Sequence, residues 1–540
     1  MNPASLHEIT ALHISGRLLQ DGFEDRAREL LVQLVTTPQR SLGIRPIRSL
    51  AAIMYGSGDW TDAIKLFRYL VSSGDATLEN HICLAHCLFE VDERQAAEDE
   101  LERAVKLCAQ QQSVTRVEVG SKLRDFVFEQ LAVHFLAGST QKTRGIFRIC
   151  SFIDPYIPTL LPEENRATIA ALSDEAIRIR LDKALNDWQQ TTATGGNADQ
   201  PDRNLLRGKK VLLVMRKYFL SSSDSREHEL GIFFRESAVS LGMLATEFPA
   251  EPFLNPRSIS PDEQYAALDR LVRLILETRP DMVVFDNLGC ADNRDGYLDL
   301  KTYKAVFADL KVIHPFRMVV FYPDSWSEES VQAIEDVREV ADVVWHQNSA
   351  LTDSSDPDNP NLGRLLYSVI PYSDELFSSV NSPKSLDAVF LGSLFAYNYP
   401  RAIWLMLIQE RQIPCTVHLS NHTRSGSPVG PSVGDYIAFL AKVRMMVNFS
   451  SRSVRQKIMT GRAWESILAK CLLLEEDNED IKRFFVPFVH YIPFRTIHEL
   501  EAYIAFFNRN ESLRSAIADR AHTWFMRNYS KAHVWRELFR

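Results

Sequence analysis

The stretch Lys442–Glu476 reads KVRMMVNFSSRSVRQKIMTGRAWESILAKCLLLEE. It opens with a short apolar strand, Met445-Met446-Val447-Asn448-Phe449, followed by a polar loop from Ser450 to Thr460. A helical segment, Gly461-Arg462-Ala463-Trp464-Glu465-Ser466-Ile467-Leu468-Ala469, leads into a second apolar strand, Cys471 to Leu474, that closes on Glu475-Glu476-Asp477. Strand, basic loop, helix, strand is a βαβ unit, and ligands in such sheets sit at the carboxyl ends of the strands. The loop carries Arg452, Arg455 and Lys457, and Arg462 stands at the helix start. A helix N-terminus offers free N–H groups and positive dipole charge, which suits a phosphate. Glu465 lies one turn beyond Arg462 on the same face, where a carboxylate can hold ribose hydroxyls.

Taken together, Asn448-Phe449, Gly461-Arg462-Ala463-Trp464-Glu465 and Leu472 to Glu476 resemble the donor lobe of GT-B glycosyltransferases, especially the CgeB-like group of family 1-type transferases. Lys470-Cys471 stand where that group usually has glycine. A second point of resemblance is Phe390-Leu391-Gly392-Ser393 followed by Tyr399-Pro400-Arg401, and a third is the crossover-like Pro371 to Phe377 segment, with closer spacing than in the group. The resemblance implies a nucleotide-sugar donor of the UDP or GDP type. Arg452, Lys457 and Arg462 would face its diphosphate, Glu465 its ribose, and Gly392 and Ser393 its phosphates or sugar. It also implies that cations neutralise the leaving group, so that no metal and no separate cofactor is needed.

Working outward, the 540 residues suffice for two to four domains. Apolar content of 45% and charged content of 24% suit a soluble globular protein. A net charge of −9 argues against a general nucleic-acid binder. No run of 18 apolar residues suggests a membrane span, and Met1 to Ser5 lacks the basic start of a signal peptide. The seven cysteines form no Cys-x-x-Cys pair, which suits a cytoplasmic location. Cys83, His86 and Cys87 share a helical face; a core face and a metal site are both compatible with that spacing.

From residue 15 to about 110 a pattern recurs. Ala63, Phe67 and Leu70 match Ala97, Leu101 and Ala104 at an offset of 34, as Leu50-Ala51 matches Leu84-Ala85; Ala27, Leu31 and Leu34 precede the first set by 36. This period is that of tetratricopeptide helix–turn–helix repeats, here degenerate. Helices continue to Trp188, with breaks at Asp154-Pro155 and Leu161-Pro162. A concave repeat surface suits a protein partner, or serves as a scaffold. Thr191 to Asn204, with Gly-Gly and Pro and no apolar anchor, reads as a linker.

Beyond the linker the period changes. Apolar runs at Lys210–Met215, Met282–Phe285, Met318–Phe321 and Val343–Trp345, with a weaker one at Ala245–Phe248, alternate with amphipathic helices, which implies a doubly wound parallel sheet. Polar residues follow the strands: Asp286-Asn287, Tyr322 to Trp326, and His346-Gln347-Asn348. Asp324, His346 and His228 are the candidate general bases for an acceptor hydroxyl. Strands at Ala388–Gly392, Cys415–Leu419 and Tyr491–Phe494 extend the second sheet, and Ser420 to Gly434 is a loop.

The expected organisation is therefore a multidomain chain: an all-α, tetratricopeptide-like region (1–190), a linker (191–208), and an α/β GT-B fold with a first, acceptor lobe (209–378), a donor lobe (379–520) and a closing helix (521–540). The expected activity is transfer of a sugar to an acceptor, a protein recruited by the repeats or a glycan, and the repeats are expected to make protein–protein contacts. A catalytically inactive interaction scaffold with a degenerate transferase module is the alternative, and a sugar-nucleotide epimerase a third reading.

Overall fold

The computed structural model describes the chain apart from residues 1–2, 21–22, 37–43, 111–120, 139, 154–155, 161–169, 194–204, 218–227, 255–259, 289–299, 324–327, 348–362, 379, 381, 395–398, 420–431 and 452–456. It divides into two compact units: Met1–Leu161 with Leu394–Met406, and Pro162–Ser393 with Leu407–Arg540.

The first unit is built of helices. Ile44–Ser57 and Trp60–Ser72 form one antiparallel pair, Leu78–Glu90 and Arg94–Gln110 the next. Their starts repeat at the interval read from the sequence, since 78 − 44 and 94 − 60 both give 34. The recurring residues Ala63, Phe67, Leu70, Ala97, Leu101 and Ala104 are all buried, so a small residue followed by larger ones at i+4 and i+7 is the packing face of each second helix. Cys83 and Cys87 are buried free thiols, while His86 is hydrogen-bonded to Tyr55 (2.5 Å) and stacks on Phe126. Those three residues belong to a helix core rather than to a ligand cluster.

The second unit holds two parallel sheets. The first is ordered β2-β1-β3-β4-β5-β6, with β1 Lys210–Met215, β2 Leu244–Pro249, β3 Met282–Asp286, β4 Arg317–Tyr322, β5 Val343–His346 and β6 Arg364–Tyr367. The second is ordered β11-β10-β9-β7-β8, with β7 Leu386–Gly392, β8 Cys415–Leu419, β9 Val443–Asn448, β10 Leu472–Glu476 and β11 Ile492–Phe494. The apolar runs arise because helices cover both faces of such sheets. Strand alternation then sorts β1 between two cores: Val211, Leu213 and Met215 join one, Leu212 and Val214 the other. The first of these cores also takes in Val389, Met446, Trp464, Phe525 and Trp535, so it joins both sheets.

The division between units falls at Leu161, earlier than the Thr191–Asn204 stretch that reads as a linker. The helix Asp174–Ala193 packs inside the second unit. Arg180 donates to Tyr503 Oη (2.6 Å), Arg509 pairs with Asp174 (2.8 Å), and the Trp188 ring meets His490. The C-terminal helix Lys531–Phe539 returns to the first sheet. Trp535 is fully buried, donates to Ser237 Oγ (2.9 Å) and packs on Phe234, while Arg364 pairs with Glu537 (3.0 Å).

Candidate functional site

Each sheet has a point where its strand order reverses: between β1 and β3 in the first, and between β7 and β9 in the second. The crevice outside the strand ends at such a point is where open α/β sheets bind ligands. In the second sheet that crevice is framed by Gly392, the last residue of β7, by Asn448, the last of β9, and by the helix Gly461–Leu468.

This helix starts without a side-chain cap. Thr460 occupies the N-cap position, but its hydroxyl accepts from Asn448 Nδ2 (2.9 Å) instead of from the helix backbone. Asn448 in turn donates to Glu475 Oε2 (2.8 Å), which ties strand, cap and neighbouring strand together. Other helices of the second unit differ among themselves: Ser260 and Ser432 each make a capping box and Thr496 accepts from Glu499 N–H, whereas the helix Glu229–Ser240 also lacks a side-chain cap. An uncapped first turn keeps donors and dipole charge available to an anion.

Arg462 reaches from that first turn to Gly392. A Cβ placed on Gly392 would lie 2.8 Å from Arg462 Nη1 and 2.9 Å from Phe390 Cζ, so glycine is required for the guanidinium to sit where it does. Among the described residues, Arg462 Nε is buried without a hydrogen-bond partner. Burial alone would lower the Arg462 pKa, but Tyr436 and Glu465 outweigh it and the net direction is upward, which keeps the cation charged.

Glu465 is only 4% exposed. Tyr436 Oη donates to Glu465 Oε2, and Tyr372 Oη lies 3.4 Å from Glu465 Oε1 and 3.2 Å from Gly461 O. Burial, followed by the negative charge of Glu229, pushes the Glu465 carboxyl up to about 7 against the pull of Arg462 and the two phenols. The phenols of Tyr372 and Tyr436 are raised well above their ordinary value, first by burial and then by Glu465. Tyr372 arrives from the crossover between the sheets, and Glu229 from the helix Glu229–Ser240 that follows β1. The crevice of the second sheet therefore carries groups from both lobes.

The remaining sequence candidates fall in different places. Lys457 is held by Glu476 (3.1 Å) and by Asp477 O (2.7 Å), so it fastens the loop to the end of β10. Ser393 follows Gly392 and is half-buried. His228 is the N-cap residue of the helix after β1; its N–H donates to Lys217 O (2.9 Å), and its ring makes no cap bond. His346 ends β5 with no exposure, stacked on Tyr367 at 6.0 Å. Arg452 and Asp324 lie outside the described residues. Sequence reasoning did not single out Tyr372, Tyr436 and Glu229. The available signal was indirect, because a glutamate on the buried face of an apolar helix requires partners.

Residues 392–540 match a family model described as glycosyl transferase-like. No curated protein matches the chain. Among solved structures, the chain is similar to HepE of Anabaena in complex with UDP and glucose, at 12% identity and a TM-score of 0.41, covering 61% of this chain and 98% of that one. It is similar to the sucrose-phosphate synthase of Thermosynechococcus elongatus at 12% identity and a TM-score of 0.41, covering 61% and 99%. A mutant O-GlcNAc transferase of Thermobaculum terrenum aligns over 100% of this chain and 98% of that one, at 13% identity and a TM-score of 0.34. Among the described residues, no helix is long and apolar enough to cross a membrane.

Proposed function

We propose that this chain is a glycosyltransferase that draws its sugar from a nucleotide-sugar donor of the UDP or GDP type. The observation that carries the reading is Arg462: a guanidinium whose buried Nε is unbonded among the described residues, at an uncapped helix start, pressed against a glycine at the β7–β9 reversal and inside the matched segment. Arg462 and the helix N–H groups bind the diphosphate and stabilise the charge that develops as the glycosidic bond breaks, in place of a metal ion. Gly392 and Ser393 line the same crevice. Glu465 takes the ribose hydroxyls once the two phenols yield them, since a diol can replace both hydrogen bonds. Arg452 and Lys457 are further candidate cations for the diphosphate, Lys457 from its anchorage on Glu476 at the end of β10.

The acceptor binds on the side of the first sheet. Its hydroxyl loses its proton to one of Asp324, His228 or His346, of which His228 stands beside Glu229 and hence next to the Glu465 cluster. The 34-residue helix pairs are read as tetratricopeptide-like and as the surface that recruits a protein acceptor, in the cytoplasm.

The test is thermal unfolding with UDP, GDP and CDP, followed by transfer assays with the matching sugar nucleotides. One nucleotide is expected to raise Tm in the parent and to fail in Arg462→Ala. If no nucleotide shifts Tm, or if Arg462→Ala responds like the parent, the reading falls.

A further inference from the structure

Both carboxylate oxygens of Glu465 are taken by phenols, and the two phenols are held in unlike ways. Tyr372 is 1% exposed, and its ring meets Phe233 edge to face with centroids 4.9 Å apart. Its hydroxyl has a choice of acceptors, Gly461 O at 3.2 Å and Glu465 Oε1 at 3.4 Å. A phenol carries one proton, so Tyr372 can give it to Gly461 O and free Oε1 while the ring stays where it is.

Tyr436 has no such alternative. Its Oη donates to Glu465 Oε2, and no second acceptor lies within hydrogen-bond reach of it among the described residues. The ring is half-buried, at the end of the first turn of the helix Val433–Ala441. That turn is closed by the capping box of Ser432 and Asp435, so it does not depend on the phenol, and the ring can swing without unwinding the helix. Burial, then Glu465, raises the Tyr436 phenol well above its ordinary value, which keeps it a donor. A phenol O–H and a sugar O–H are the same kind of partner for a carboxylate, so the two compete for Oε2. With neither in place, a carboxylate only 4% exposed is left with an unsatisfied oxygen.

We propose, on the strength of the donor-site reading, that Tyr436 is a placeholder for the donor's ribose: its hydroxyl fills Glu465 Oε2 in the empty protein, is exchanged for a ribose hydroxyl when the nucleotide enters, and returns when the nucleoside diphosphate leaves. Nucleotide affinity is then set by the difference between two hydrogen bonds of one kind, which keeps binding weak enough for the product to depart. Tyr372 is a positioning residue that keeps its place throughout, with its proton on Gly461 O while the nucleotide is bound.

Calorimetric titration of the full chain with UDP, GDP and their 2′,3′-dideoxy counterparts tests the exchange, at about pH 8, where Glu465, raised to about 7, is largely ionised. Tyr436→Phe removes the competing hydroxyl and keeps the ring. It is expected to bind the accepted ribonucleotide about tenfold tighter than the parent does, with the dideoxy counterpart changed by no more than about twofold. A distorted site would instead weaken both. In a Glu465→Ala background the same substitution is expected to have no effect, since the two side chains act as one pair, and a gain of parent size there overturns the pairing. Should Tyr436→Phe fail to fold, Tyr436→Leu, which also lacks the hydroxyl, takes its place. Unchanged or weaker binding of the ribonucleotide overturns the exchange, and an equal gain for the dideoxy nucleotide overturns the role of the ribose. Those outcomes leave the donor site standing, because the parent still binds, whereas no binding of either nucleotide by the parent overturns both.

Discussion

The two sheets have the same parallel construction, yet the points where their strand order reverses are finished differently. At the end of β1 in the first sheet, Arg216 lies against Asp286 at the end of β3, with Nε at 2.6 Å and Nη2 at 3.1 Å from the two carboxylate oxygens. Asp286 is fully buried and the pair is bidentate, so the reversal is closed by protein alone. At the corresponding place in the second sheet, the arginine meets a glycine, keeps an Nε unbonded among the described residues, and stands at the start of a helix without a side-chain cap. The difference teaches that topology supplies a crevice twice, and that the chain stitches one shut and leaves cationic groups available in the other.

That contrast can be broken from either side. The largest effect is expected from Asp286→Ala, which leaves Arg216 without its carboxylate. Breaking a buried pair of this kind costs about 3–5 kcal/mol, read as a lowered urea midpoint. If stability is unchanged, the first reversal is not closed by this pair.

Next comes the pH dependence of Glu465. Its folded-state carboxyl is raised from 4.5 to about 7, by burial and then by Glu229. Across that interval the native protein holds a proton that the unfolded chain has released, so stability falls as pH rises from 4.5 to about 7. The full change is on the order of 3 kcal/mol. Glu465→Gln is expected to flatten the profile in that window, and a parent-like slope in the variant assigns the proton elsewhere.

Arg462→Ala is expected to weaken nucleotide binding about 100-fold, equivalent to ~2.7 kcal/mol, while Tm without nucleotide changes little. The smallest effect is expected from Gly392→Ala, where the new methyl displaces Arg462 Nη1 or Phe390. Overpacking of this sort costs about 1–3 kcal/mol, here divided between stability and nucleotide affinity. A variant that binds nucleotide as the parent does would show that the guanidinium need not approach β7.

Much of the architecture was legible because it is periodic. Runs such as Val211–Met215 and Met318–Phe321 lie between two helical layers, so they carry no polar alternation and read as buried strands. Small-then-large spacing at Ala63, Phe67 and Leu70 likewise announced a packing face. The end of the helical region was not legible. An amphipathic helix such as Asp174–Ala193 has the same pattern whichever body it packs on, and only Trp188 and Arg180 against distant residues decide the matter.

Within the site, Arg462 and Glu465 could be singled out because their spacing is local. Tyr372 and Tyr436 stand 93 and 29 positions from Glu465, and nothing in their own neighbourhoods marks them as its partners. Lys457 reads as one more cation in a basic loop. Only the fold reveals that Glu476 and Asp477 O already hold it.

The return of the helix Lys531–Phe539 to the first sheet has a consequence for how the chain is made. Ser237 and its indole partner Trp535 are 298 positions apart, and the entire second sheet is translated in between. The first lobe therefore waits, with the Phe234 side of its core uncovered, while its neighbour emerges. Long-range closure of this sort slows folding and exposes apolar surface to chaperones. Expressed alone, the first lobe is expected to aggregate, and a peptide carrying the closing helix, added in trans, to restore its solubility.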